Sequence, residues 1–291
     1  MSVLATFPIR GMRGQTRSHL MFAEDGGLYV VKFQNNPQGI RVLANEFLAT
    51  RLAHACGFTV PRCEVVEVVD WLVEGTPDLE AQFSEAGTSC TSHLHFGSAY
   101  VGGLAPGNLV DYMPDSMTNR VRNVTEFAGM VAFDAWCGNA DPRQAVYRKK
   151  PKETRYDATF IDQGSCFRTD CFKDGAIPQL FPRNTVYAGV TGWESFEPWL
   201  SAIRTMPPEV IWEAAYAIPS EWWGPDRSVV KELVETLIGR KSLLKELVTS
   251  ARYSSRKPFP RWTERRSPAR TIMSRNSSSS AGISTSPITI H

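Results

Sequence analysis

A lysine inside an apolar strand is costly unless an anion meets it. Lys32 stands in Tyr29-Val30-Val31-Lys32-Phe33, a run of β-branched and aromatic residues. Glu46 follows on a segment of helix-forming composition, Gln38 to Cys56. It shares one helical face with Val42, Ala49 and Ala53, so an acid interrupts a stripe of small residues. A water-facing strand or helix would account for either residue alone. As a pair, a strand lysine and a helix glutamate supply an ammonium that neutralises phosphate and a carboxylate that orients it.

Two aspartates extend the set. Asp141 lies in Cys137-Gly138-Asn139-Ala140-Asp141-Pro142-Arg143-Gln144, and Asp162 in Phe160-Ile161-Asp162-Gln163-Gly164. Singly, these read as a helix-end turn and an Asx-turn before glycine. In order, strand Lys, helix Glu, post-helix Asp and strand-Asp-x-Gly are the parts of kinase-fold phosphotransferases. Lys32 would neutralise the α/β-phosphates and Glu46 would orient it. Asp141 would take the acceptor hydroxyl's proton or hold that hydroxyl in line. Asp162 would ligate Mg²⁺, which prefers carboxylate oxygen. Ahead of the lysine strand, Gly14, Gln15, Thr16, Arg17 and Ser18 offer backbone N–H groups to phosphates. That loop is neither a G-x-G-x-x-G nor a Walker A sequence.

The elements that must carry these residues are partly visible. Gly26-Gly27 predicts a hairpin between Ser18–Phe22 and Leu28–Phe33, and Gly57 stops the Gln38–Cys56 helix. Cys63–Val69 reads as a strand and Trp71–Gly97 mainly as loop. Thr125 to Trp136 reads as a buried helix ended by Gly138, followed by short strands at Ala145–Tyr147 and Ala158–Ile161. Helical segments fill Ser195 to Leu247, with an amphipathic stretch at Ser228–Val248. The expected organisation is a nucleotide-binding part over 1–100, a helical catalytic part over 101–250 and a disordered Ser/Arg-rich tail over 251–291.

The 291 residues, 42% hydrophobic and 21% charged, are an ordinary globular mixture. The net charge of +2 conceals two parts: residues 251–291 hold eight Lys+Arg and one acid, leaving −5 on the rest. No apolar run is long enough to span a membrane, and the first residues are too short a run for a secretory signal. Six scattered cysteines with no C-x-x-C pair read as reduced thiols, hence a cytoplasmic location. His93 and His95 alternate along a strand without a third metal ligand. Trp222 and Trp223 read as core. The tail arginines are the one feature suited to nucleic acid or acidic lipid, and a solvated disordered tail is the preferred reading of them.

The segments Gly14–Phe22, Tyr29–Phe33, Asn35–Gly39, Asn45–Ala49, Gly138–Asp141 and Ile161–Gly164 resemble the HipA-like kinase family, in a short, single-domain form. The likeness spans roughly residues 10–250 and extends through Ser195–Trp199. It implies an α+β, bilobal protein-kinase-like fold, with a small β-rich N-lobe holding one long helix and a mainly helical C-lobe. It also implies ATP with Mg²⁺ as cofactors and transfer to a protein Ser/Thr hydroxyl, this chain's own included. The longer family members carry Asn-x-Asp-x-His-x-x-Asn. Asn139 and Asp141 match, whereas Arg143 stands at the His position and Val146 at the metal-binding Asn. Gln144 is the nearby amide able to join Asp162 at a metal. Two alternatives follow: a nucleotide-binding pseudokinase acting as a regulatory module, and transfer of AMP on the same fold.

Overall fold

The structure is a computed structural model describing residues 1–12, 14, 16–85, 90, 93–103, 109–168, 179–225 and 228–263. The N-terminal residues form strand β1 (Val3–Gly11). It pairs antiparallel with β2 (His19–Ala23), which pairs with β3 (Leu28–Lys32) through the expected glycine turn. Gly26 takes φ 77° there, a region open to glycine at no steric cost. β4 (Cys63–Glu67) and β5 (Leu94–Ala99) close a barrel in the order β1-β2-β3-β5-β4. Closure leaves the sheet without a free edge.

The loop expected over Trp71–Gly97 is corrected. It contains α1-preceded elements of its own: after the long helix α1 (Arg41–Ala55) and β4 come α2 (Asp70–Glu74), α3 (Pro77–Glu85) and then β5. Pro77 opens α3, and Asp78 and Glu80 in its first turn suit the helix dipole. Leu72 and Leu79 enter the barrel core with Met21, Tyr29, Val31, Phe33 and Val66. Tertiary burial, rather than local pattern, makes these short helices. The barrel part therefore holds two short helices besides the long one.

Side chains alternate along β3, so Tyr29 and Val31 fill the barrel while Lys32 faces the other way, toward α1. α1 starts after an Asx turn in which Asn36 Oδ1 accepts the Gln38 N–H at 2.8 Å. Gly57, with φ 81°, ends it, and the Phe58 N–H returns to Ala53 O. Most α1 side chains are buried, because the helix lies between the barrel and the helical half. Leu43, Phe47, Leu48 and Leu52 join the larger core there, and Phe47 meets Trp222 edge-on. Each such side chain contributes roughly 1.5–3 kcal/mol by burial, which fixes the rotation that aims Glu46.

A second sheet, β6 (Leu109–Val110), β7 (Gln144–Arg148) and β8 (Asp157–Ile161), is antiparallel in that order. Buried helix α4 (Glu126–Cys137) precedes β7 and ends at Gly138, φ 58°. Then follow α5 (Trp199–Thr205), α6 (Pro208–Tyr216), α7 (Ser228–Arg240) and α8 (Leu244–Arg252). The amphipathic stretch Ser228–Val248 is thus two helices joined by a 3₁₀ turn at Lys241–Leu243. Order also continues beyond the expected boundary at 250. Ala251 is buried in α8, and Phe259 and Trp262 pack on Phe196. Aromatic burial outweighs the polar composition of residues 251–263. The rest of the proposed tail, 264–291, lies outside the described residues. Among described residues no helix is long and apolar enough to cross a membrane.

Candidate active site

β3, α1 and the turn after β8 bring Lys32, Glu46 and Asp162 together. Lys32 Nζ donates to Glu46 Oε2 at 2.9 Å and to Asp162 Oδ1 at 2.8 Å. Burial alone would lower the lysine's pKa, but the two carboxylates outweigh it and raise it. Burial pushes the Glu46 carboxyl up, against the pull of Lys32 and of the Gln163 N–H, which donates to Oε1 at 2.9 Å. Burial also opposes ionisation of Asp162. There Lys32, Arg143 and Gln144 prevail and hold the carboxyl below its ordinary value. Asp162 adopts φ 62°, an uncommon conformation for a residue with a side chain. Gly164 follows because a Cβ there would meet Val42 Cγ1 at 2.9 Å and Glu46 Oε2 at 3.0 Å.

Gln144 and Asp141 adjoin this cluster. Gln144, the first residue of β7, donates through Nε2 to Asp162 Oδ2 at 2.7 Å. Asp141 is exposed, on the loop between α4 and β7. Its N–H binds Asn139 Oδ1 at 3.3 Å, and its Oδ2 accepts the Ser165 hydroxyl at 2.5 Å. The neighbouring Ala140 N–H binds Ser165 O at 3.1 Å, tying the loop to the segment after Asp162. Gly14, Thr16, Arg17 and Ser18 lie in the β1–β2 connection. Continuing the His19–Val31 register sets Ser18 level with Lys32. Gln15 lies outside the described residues.

His95 is a core residue. Its Nδ1 accepts the Gln34 N–H at 3.2 Å, and its ring packs edge-on against Phe33. Burial pushes its pKa down to about 3, so it stays neutral. Trp222 and Trp223 are buried, as expected. Among the described residues no three His, Cys, Asp or Glu side chains form a metal cage.

Comparison with known proteins places this geometry. The HipA-like kinase pattern matches residues 8–173, more than half of the chain and every residue of the cluster. The chain belongs to the HipA-like kinase family. No curated protein matches it. The crystal structure of the Helicobacter pylori proinflammatory kinase CtkA is similar with TM-score 0.55 at 14% identity, covering 88% of this chain and 100% of that one. The Golgi casein kinase is similar with TM-score 0.51 at 12% identity, covering 87% and 73%. HipA of Shewanella oneidensis MR-1 gives 0.49 at 16%, covering 84% and 67%. The first two likenesses show a kinase-like α+β fold, and membership of the family places the chain among kinase-type phosphotransferases.

Within this HipA-like kinase, the departures from the longer members take definite form. Val146 sits on β7 opposite Thr159 and carries no donor for a metal. Arg143 is buried, with Nε donating to Asp134 Oδ2 at 3.2 Å, Nη2 to Asp134 Oδ1 and Nη1 to Gln163 Oε1. Asp134 and Gln163 escaped the sequence reading. The signal was available: a lone acid between Phe133 and Ala135 on an apolar helix requires a cationic partner.

Proposed function

We propose that this chain is an ATP- and Mg²⁺-dependent phosphotransferase acting on a protein Ser/Thr hydroxyl. The observation that supports it most is the bridge from Lys32 to both Glu46 and Asp162, which gathers a phosphate-neutralising cation and a metal-binding anion at one point. The donors around that point fit a hard cation: the Asp162 carboxylate, with the Gln144 amide oxygen after a half-turn of its side chain. Lys32 would meet the α/β-phosphates, held by Glu46, and the Gly14–Ser18 connection would present N–H groups beside it. When bound, Mg²⁺ supplies charge neutralisation at the phosphates. Asp141 would accept the proton of the acceptor hydroxyl, a contact that Ser165 Oγ already mimics.

In this reading residues 1–100 form the nucleotide-binding lobe and 101–250 the catalytic lobe, in a cytoplasmic protein whose acceptor is another protein or itself. Val146 favours a second reading, a nucleotide-binding pseudokinase with a regulatory role. Calorimetric titration with ATP, with and without Mg²⁺, separates the two when paired with γ-phosphate transfer. Mg²⁺-dependent binding with transfer that is lost in Asp162→Ala supports the phosphotransferase. Metal-independent binding without transfer supports the pseudokinase, and no binding refutes both. Transfer of AMP would show as a heavier adduct than phosphate.

A further inference from the structure

Asp134, Arg143 and Gln163 join the two ends of the proposed site through buried polar contacts. Asn139 Nδ2 donates to Asp134 Oδ1 at 3.2 Å, and Asn139 Oδ1 accepts the Asp141 N–H, so Asp134 anchors the loop that carries Asp141. Arg143 grips the same carboxylate and reaches Ile161 O at 3.3 Å and Gln163 Oε1, on either side of Asp162. Gln163 in turn donates its N–H to Glu46. The guanidinium matches this task because its planar fork holds several acceptors in fixed directions. A histidine at this position, as in the longer family members, has two ring nitrogens and cannot span all three partners.

We infer that Arg143 is a positioning residue which, clamped between Asp134 and Gln163, fixes the metal-binding Asp162 relative to Asp141 and Glu46. This rests on the phosphotransferase reading. The replacement of His by Arg then marks a rewired site rather than a decayed one. Buried ion pairs often contribute little net stability; here the pair contributes geometry.

The test uses the full chain in two variants. Gln163→Met cuts the side-chain link from Arg143 to the metal loop while leaving the ion pair and the contact to Ile161 O. Asp134→Asn combined with Arg143→Gln exchanges the buried ion pair for two amides and leaves no buried charge unpaired. Thermal midpoints identify folded material. In both folded variants kcat should fall, and the half-saturating Mg²⁺ concentration rise, by on the order of 10- to 100-fold. In the ligand-free chain, hydrogen exchange over 161–166 should accelerate. A purely structural role would lower the thermal midpoint without changing the Mg²⁺ response. Variants with wild-type Mg²⁺ dependence and wild-type exchange overturn the positioning role and leave the phosphotransferase reading standing. A wild-type chain that neither binds ATP–Mg²⁺ nor transfers phosphate removes that reading, and the positioning role with it.

Discussion

Lys32 Nζ lies 2.8 Å from Asp162 Oδ1, a partner 130 positions away in the chain. That contact joins the barrel to the turn after β8, and Glu46 completes it from α1 at 2.9 Å. A buried ammonium with two carboxylates is stable only while its partners remain. Lys32→Met should therefore destabilise the fold by roughly 3–5 kcal/mol, as breaking a buried pair does. Glu46→Gln in the same chain should recover part of the loss, because it removes the stranded charge. Urea unfolding at neutral pH measures both; a single variant as stable as wild type contradicts this account of the pair.

Gly164 sets the separation between α1 and the turn bearing Asp162. Gly164→Ala would drive a methyl into Val42 and Glu46, at 2.9 and 3.0 Å. Overpacking of this kind costs about 1–3 kcal/mol, and here it also displaces Glu46 from Lys32. The expected outcome is a lower thermal midpoint and weakened phosphate transfer. Wild-type transfer by this variant would show that the close approach is dispensable.

Gln144 holds the carboxylate oxygen of Asp162 that Lys32 does not, at 2.7 Å. Gln144→Leu keeps the bulk and removes both the donor and the candidate metal oxygen. The half-saturating Mg²⁺ concentration for ATP binding should rise by on the order of 10- to 100-fold. An unchanged Mg²⁺ titration would leave Asp162 and the phosphates as sufficient ligands and exclude Gln144.

His95 makes stability depend on pH. Its folded-state pKa of about 3 lies below its unfolded value of about 6.5. Between those values the unfolded chain binds a proton that the folded chain refuses. The histidine's contribution is complete above about pH 6.5 and is lost as pH falls, at up to about 1.4 kcal/mol per pH unit. His95→Gln retains an acceptor for the Gln34 N–H without the titration. Denaturant unfolding at pH 7 and pH 5 should show a smaller loss in the variant than in wild type; equal losses contradict the assignment.

What the sequence made legible was local or chemically expensive. Gly26-Gly27 specified its hairpin, Gly57 its helix end, and Lys32 and Glu46 stood out as charges in apolar surroundings. In the structure the two meet directly, at 2.9 Å. β1 and α3 were not legible, because β1 is defined by pairing with β2 and β4, and α3 by Leu79 entering a barrel assembled from distant strands. The Asp134–Arg143 pair was hidden differently. Its members flank a turn, and only the fold brings Gln163 to the guanidinium. The segment after Ser250 reads as disordered by composition, yet two aromatic residues in it, Phe259 and Trp262, are buried in a core.

The central claim is transfer of the terminal phosphate of ATP, with Asp141 at the acceptor hydroxyl. Intact-mass measurement after incubation with ATP and Mg²⁺, on the wild-type chain with candidate acceptor proteins and on Asp141→Asn, tests it most directly. The account predicts phosphate adducts in the wild-type reaction and their loss in the nearly isosteric variant. Equal phosphate adducts in both, or adducts of AMP, would contradict it.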